Sequence, residues 1–109
     1  MTEDQVINLV SIAYDQKAYP PAALPVMTFE DQMQFHFNGQ VIDLMHFGAA
    51  HTTGDTAVIF RGDNAVHLGD VYNNSGYPFI DAGNGGSIDG IIAFCEATLA
   101  QINLDTVVV

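Results

Sequence analysis

The chain has 109 residues, 49% of them hydrophobic and 14% charged, enough apolar material for one small domain and too much for a disordered segment. Lys17 and Arg61 are its only Lys or Arg side chains against thirteen Asp and Glu, giving a formal net charge of −11. Such a surface repels phosphate backbones and anionic lipid heads, which argues against nucleic acid and membrane partners and leaves cations or neutral ligands.

From the N-terminus, Thr2 opens a capping-box pattern with Gln5, and Val6, Leu9, Val10 and Ala13 recur at helical spacing, predicting a helix within residues 1–17. The stretch MTEDQVINLV has neither the basic region nor the apolar core of a secretory leader, so a cytoplasmic location is expected. The segment AYPPAALP carries three prolines and interrupts regular structure. In QMQFHF, Met33, Phe35 and Phe37 alternate with Gln34 and His36. Asn38-Gly39 suits a hairpin turn with positive φ at both central positions, and QVIDLMHF returns; residues 32–47 therefore read as a β-hairpin.

TAVIFRG and AVHLGD form a second hairpin around Gly62-Asp63-Asn64, and a long Asn- and Gly-rich loop follows. Long loops in small domains are usually functional. Ser87 is placed to cap a helix over 88–102, with Ile91, Ile92, Cys95 and Leu99 as its apolar face and Asn103 as its stop. DTVVV reads as a last strand. Cys95 is the single cysteine, so no intrachain disulfide forms, and its neighbours make it a buried structural thiol rather than a nucleophile.

Two short motifs carry the candidate chemistry. HTTGD at 51–55 holds a histidine, two hydroxyls, a turn glycine and a carboxylate, and HLGD at 67–70 follows one hairpin later. Together with HFGAAHTTGDTAVIF, NAVHLGDVYNNSGYPFIDAGNGGSIDG and DTVVV, in that order, they resemble the metallo-β-lactamase superfamily over the last two thirds of the chain. A weaker likeness extends back through YPPAALPVMTF. The resemblance implies an α/β (α+β) fold: half of an αββα sandwich, with residues 26–109 as its C-terminal half, one mostly antiparallel sheet and helices on one face. It also implies that His51 matches a histidine metal ligand, that Asp70 matches the carboxylate bridging two metals, and that Asp55 supports the loop. Zinc, or iron or manganese, would be the metal; bound to such an ion, water ionises near neutral pH and becomes a nucleophile.

The departures from that pattern weigh as much as the matches. No H-x-H-x-D-H motif occurs, and no closing G-H-G turn follows DTVVV. Two of the usual ligand positions remain, whereas zinc sites ordinarily use three or four protein ligands. His46 could add a nitrogen, but a strand-end role is the expected one; His36 is expected to face solvent, and His67 to be a hydrogen-bonded sheet histidine. Thr52, Thr53 and Ser75 are expected to satisfy turn backbone. AGNGGS lacks a phosphate-binding lysine and reads as a flexible loop with a Ser cap. His46, Asp55, Tyr77 and Phe79 are the candidate pocket residues.

The sequence therefore predicts a single domain over residues 1–109: a truncated metallo-β-lactamase-like domain without a complete catalytic metal site. A half sandwich leaves one sheet face uncovered, which predicts a homodimer through that face. The alternatives are a metal-dependent hydrolase of esters, amides or thioesters completed across that dimer or by a partner chain, and a small-molecule binding module using the GYPFID loop. The N-terminal helix could instead fold over the bare face and leave a monomer.

Overall fold

A computed structural model describes residues 18–109, so the N-terminal helix expected within 1–17 lies outside the described residues. Their fold is α+β, with one five-stranded sheet and one α-helix. The strands are β1 (Gln32–Phe37), β2 (Gln40–Met45), β3 (Ala57–Phe60), β4 (Ala65–His67) and β5 (Val107–Val108), and the helix α1 (Ile88–Leu99) precedes β5. They lie side by side in sequence order, antiparallel except for the parallel pair β4–β5.

Local chemistry explains the hairpins. Asn38 and Gly39 adopt φ of 51° and 73°, the positive values that a two-residue turn matched to strand twist demands. The register that follows sets Phe35 opposite Ile42 and Phe37 opposite Gln40. Between β3 and β4 the connection takes in residues 61–64, one more than the predicted turn, and closes on Asn64 at φ 48°.

Side chains alternate across each strand, so register assigns every strand residue to a face. Asp43, Met45, Ala57, Ile59 and Val66 share the face that meets α1. Ala57, Ile59 and Val66 are buried there with Ile91 and Phe94 of the helix. The helix is rotated from the sequence expectation: Phe94 and Thr98 turn inward with Ile91, while Ile92 and Leu99 are 51% and 66% exposed. The Phe94 ring decides this. It is fully buried and meets Phe47 edge-on at 5.4 Å, and an aromatic ring removes more apolar area from water than an aliphatic side chain can. Cys95 is left half-buried at the core's margin, and desolvation pushes its thiol above the ordinary value of 9.0.

Ser87 caps α1 as predicted, its Oγ accepting from the Gly90 N–H at 3.0 Å. The helix stops at Leu99 rather than near Ile102. Gln101 is already committed elsewhere: its carbonyl and side-chain oxygens accept from the Arg61 guanidinium at 3.0 and 3.3 Å. Asn103 stops no helix; its backbone carbonyl accepts from Thr106 N–H and its side chain from Asp105 N–H, forming the turn that delivers β5.

Arg61 also binds Asp43 through Nε at 2.6 Å, and Asp43 accepts from the Gln34 amide Nε2 at 2.7 Å. Gln34 in turn meets His36 Nε2 at 2.9 Å. This polar row crosses β1 and β2 and ties them to the segment after α1. The Gln34 amide holds the Asp43 carboxyl below its usual 3.8, and Arg61 adds to that against the opposing effect of burial. A carboxyl depressed by folding stabilises the fold above its unfolded pKa, and that stabilisation is lost as pH falls through the lower folded value. Resistance to urea unfolding is therefore expected to fall below pH 3.8, with Asp43→Asn flattening that acid limb. At neutral pH, Arg61→Ala is expected to cost about 2 kcal/mol, since it strands a largely buried carboxylate.

Candidate functional site

The motif residues gather at one end of the sheet, where β2 finishes, β3 begins and β4 ends. HTTGD belongs to the β2–β3 connection, and its shape is set by Asp55. One oxygen of that carboxylate, Oδ2, accepts from the Thr52 N–H at 2.8 Å and the Ala50 N–H at 3.2 Å. The Asp55 carbonyl accepts from His46 Nδ1 at 2.7 Å. Thr52 Oγ1 accepts from the Gly54 N–H, so the hydroxyl closes a turn. Asp55 thus works inward on its own loop.

A second loop braces the first. The Ala50 carbonyl accepts from Ser87 N–H, the His51 carbonyl from Asp81 N–H, and the Asn84 carbonyl from Thr53 N–H, at 2.9, 3.0 and 3.1 Å. The two backbones run so close that a Cβ on Gly86 would collide with the His51 carbonyl, and one on Gly90 with the Ala49 carbonyl. AGNGGS is accordingly not a flexible loop. Ala82–Asn84 forms a 3₁₀ turn capped by Asp81, and the later glycines are there to let backbone approach backbone. Sequence reading assigned no role to Asp81, Gly86 or Gly90 at the site. The cue was glycine beside a helix cap, which is equally the pattern of phosphate loops.

With its backbone braced on both sides, His51 turns its ring between the Phe79 carbonyl and Asp70. Nδ1 lies 2.5 Å from the Phe79 carbonyl. A carbonyl only accepts, so Nδ1 carries the proton and Nε2 offers its lone pair in the neutral ring. Nε2 faces Asp70 Oδ2 at 3.6 Å, too far for a hydrogen bond. Asp70 stands in the 3₁₀ turn Gly69–Val71 that ends β4. Two acceptors facing each other attract a shared cation. Two ligands of a tetrahedral ion at 2.0–2.1 Å lie about 3.3 Å apart, close to the separation found. A backbone carbonyl fixing the far nitrogen is also the usual outer support of a metal-ligating histidine.

Among the described residues the donor set ends there. No group of three or more His, Cys, Asp or Glu side chains suited to a metal occurs among the described residues. The Asp70 side chain is 78% exposed and that of His51 is 14% exposed, so the pair sits at a surface. Two donors do not fit a resident zinc, iron or manganese ion, because water would complete its shell and the ion would exchange readily.

The candidate pocket residues are scattered. Tyr77 is 97% exposed. Phe79 lays its ring against that of His51, centroids 5.9 Å apart. His46 lines a different, open hollow of about 620 Å³ with Met27, Phe29, Glu30 and Thr56. His67, on β4, is exposed and accepts from Gly69 N–H through Nδ1. His36 is exposed as well. The Ser75 hydroxyl donates to Asn73 Oδ1 within its own turn.

No protein-family model matches the chain, and no curated protein or solved structure matches it either. The metallo-β-lactamase likeness therefore rests on the motifs and their order.

The glycine seat gives a prediction of unusual sign. Gly→Ala inside a helix ordinarily stabilises by about 0.5–1 kcal/mol. Gly90→Ala is expected to lower the thermal midpoint instead, because its methyl meets the Ala49 carbonyl. A higher midpoint would show that the loop and helix do not pack this closely.

Proposed function

We propose that this chain is a metallo-β-lactamase-like half-domain that is not a hydrolase on its own, a binding or structural module retaining two donors of a metal site, His51 and Asp70. The observation that carries the reading is the pair itself: Nε2 and Oδ2 are set 3.6 Å apart on braced loops, and the described residues bring no third donor to them. The order of motifs and the α+β sheet with a helix on one face are compatible with it. We place the protein in the cytoplasm under the same reading. Its one cysteine is a free thiol, and among the described residues no helix is long and apolar enough to cross a membrane.

The orientation of His51 favours one second reading, a metal-dependent hydrolase of esters, amides or thioesters whose remaining ligands come from another chain. The ring presents the nitrogen that a metal ligand would use, with its other nitrogen already held.

Elemental analysis of the full chain, purified after exposure to zinc, iron or manganese and then desalted, separates the two. The half-domain reading expects well below one metal per two chains and no turnover of ester, lactam or thioester substrates. Metal near one per two chains, with turnover abolished by His51→Ala or Asp70→Ala, would replace it with the hydrolase reading.

A further inference from the structure

The sheet has two faces of opposite design. Under α1 the strands supply Ala57, Ile59 and Val66, all buried. Toward β1 that same face turns mainly polar, with Gln32, Gln34, His36 and Asp43 around Val41. The other face carries Met33, Phe35 and Phe37 of β1, Ile42 and Leu44 of β2, Val58 and Phe60 of β3, Ala65 of β4 and Val107 of β5, as the register dictates. None of these nine is buried. Within the strands the polar positions on that face are Gln40 and His67, and the one strand carboxylate, Asp43, lies on the opposite face.

We propose that this face binds a second copy of the chain, sheet against sheet, in a two-fold homodimer. Width is the first argument. Five strands about 4.8 Å apart span about 24 Å, whereas a single helix about 10 Å across covers two of them. Another five-stranded sheet matches the whole footprint, and stacked sheets are a standard packing. Area is the second. At about 16 Å² per strand residue the strands cover on the order of 300 Å² in plan, and side chains such as Phe37, 66% exposed, add relief. Two such faces cover about 600 Å² in plan, and the relief of the protruding side chains brings the area removed from water toward the ~1,000 Å² lower range for a specific interface. Charge is the third. A net charge of −11 makes almost any surface of a second copy repulsive, but the strands of this face meet their own image without opposing one strand carboxylate to another. A two-fold contact uses the same patch on both partners, as a self-complementary apolar face requires.

The inference stands on strand register and is independent of the metal reading. It is tested with a chelator present, so that assembly cannot be credited to a metal. Sedimentation of the full chain at about 100 µM is expected to give twice the 11.7 kDa chain mass. Val58→Lys and Phe37→Glu are expected to yield monomers with unchanged far-ultraviolet circular dichroism, and Ile92→Lys, on the outer side of α1, to leave the dimer intact. If Val58→Lys fails to fold, the exposed Phe37→Glu decides alone. A monomer at about 100 µM for the unaltered chain would overturn the proposal. So would a dimer that survives both face substitutions, or one lost with Ile92→Lys and kept with Val58→Lys.

Discussion

The site end of the molecule depends on a close approach between two stretches of backbone. Residues 49–51 press against Gly86 and Gly90 so tightly that neither glycine has room for a Cβ. Hydrogen bonds from Ser87 and Asp81 then lock the pair. The candidate site at that end inherits this seat. It fixes where α1 starts, it presents the His51 ring to the Phe79 carbonyl, and it holds Nε2 toward Asp70. Asp55 matters from the other side, holding two backbone N–H groups on one carboxylate oxygen and so shaping the loop before the second loop closes on it. The arrangement is rigid support for a pair of side chains that have few companions.

At the opposite end of the strands the constraint is electrostatic. Arg61, one of the chain's two Lys or Arg residues, reaches Asp43 and Gln101 at once. The row through Gln34 lets β1 and β2 keep a polar surface beside the helix while their reverse side stays apolar. The usual logic of a two-layer domain, apolar toward the helix and polar toward water, is thus inverted at the β1 edge. A sheet with that inversion has its unmet demand for burial on the side away from its own helix.

Much of the fold was legible because it rests on local chemistry. Asn38-Gly39 demanded a hairpin turn, Ser87 demanded a helix start, and the alternation in QMQFHF demanded a strand. What failed to show was which apolar stripe of α1 would win. Ile88, Ile92, Cys95 and Leu99 make as regular a pattern as Ile91, Phe94 and Thr98, and the choice belongs to the volume available beside Phe47. The helix's early end was hidden for the same reason, since Gln101 answers to an arginine forty residues away. At the candidate site, the motifs singled out His51 and Asp70, which the fold sets 3.6 Å apart. They could not single out the supports, because a glycine's need for closeness and a carbonyl's hold on an imidazole are decided by loops remote in sequence.

The fifth strand has a kinetic consequence. Both hairpins close over short turns, so their pairing needs little loop entropy and can precede the rest. β5 pairs with β4 over two residues, Val107 and Val108, after an excursion of about forty residues through the long loop and α1. The Asn64, Asn103 and Thr106 side chains clasp one another across that gap, forming a latch where the long loop closes. Assembly therefore runs from the hairpins outward. By loop entropy alone β5, whose Val109 carbonyl accepts from Leu68 N–H beside Asp70's turn, is the strand whose pairing costs most to close.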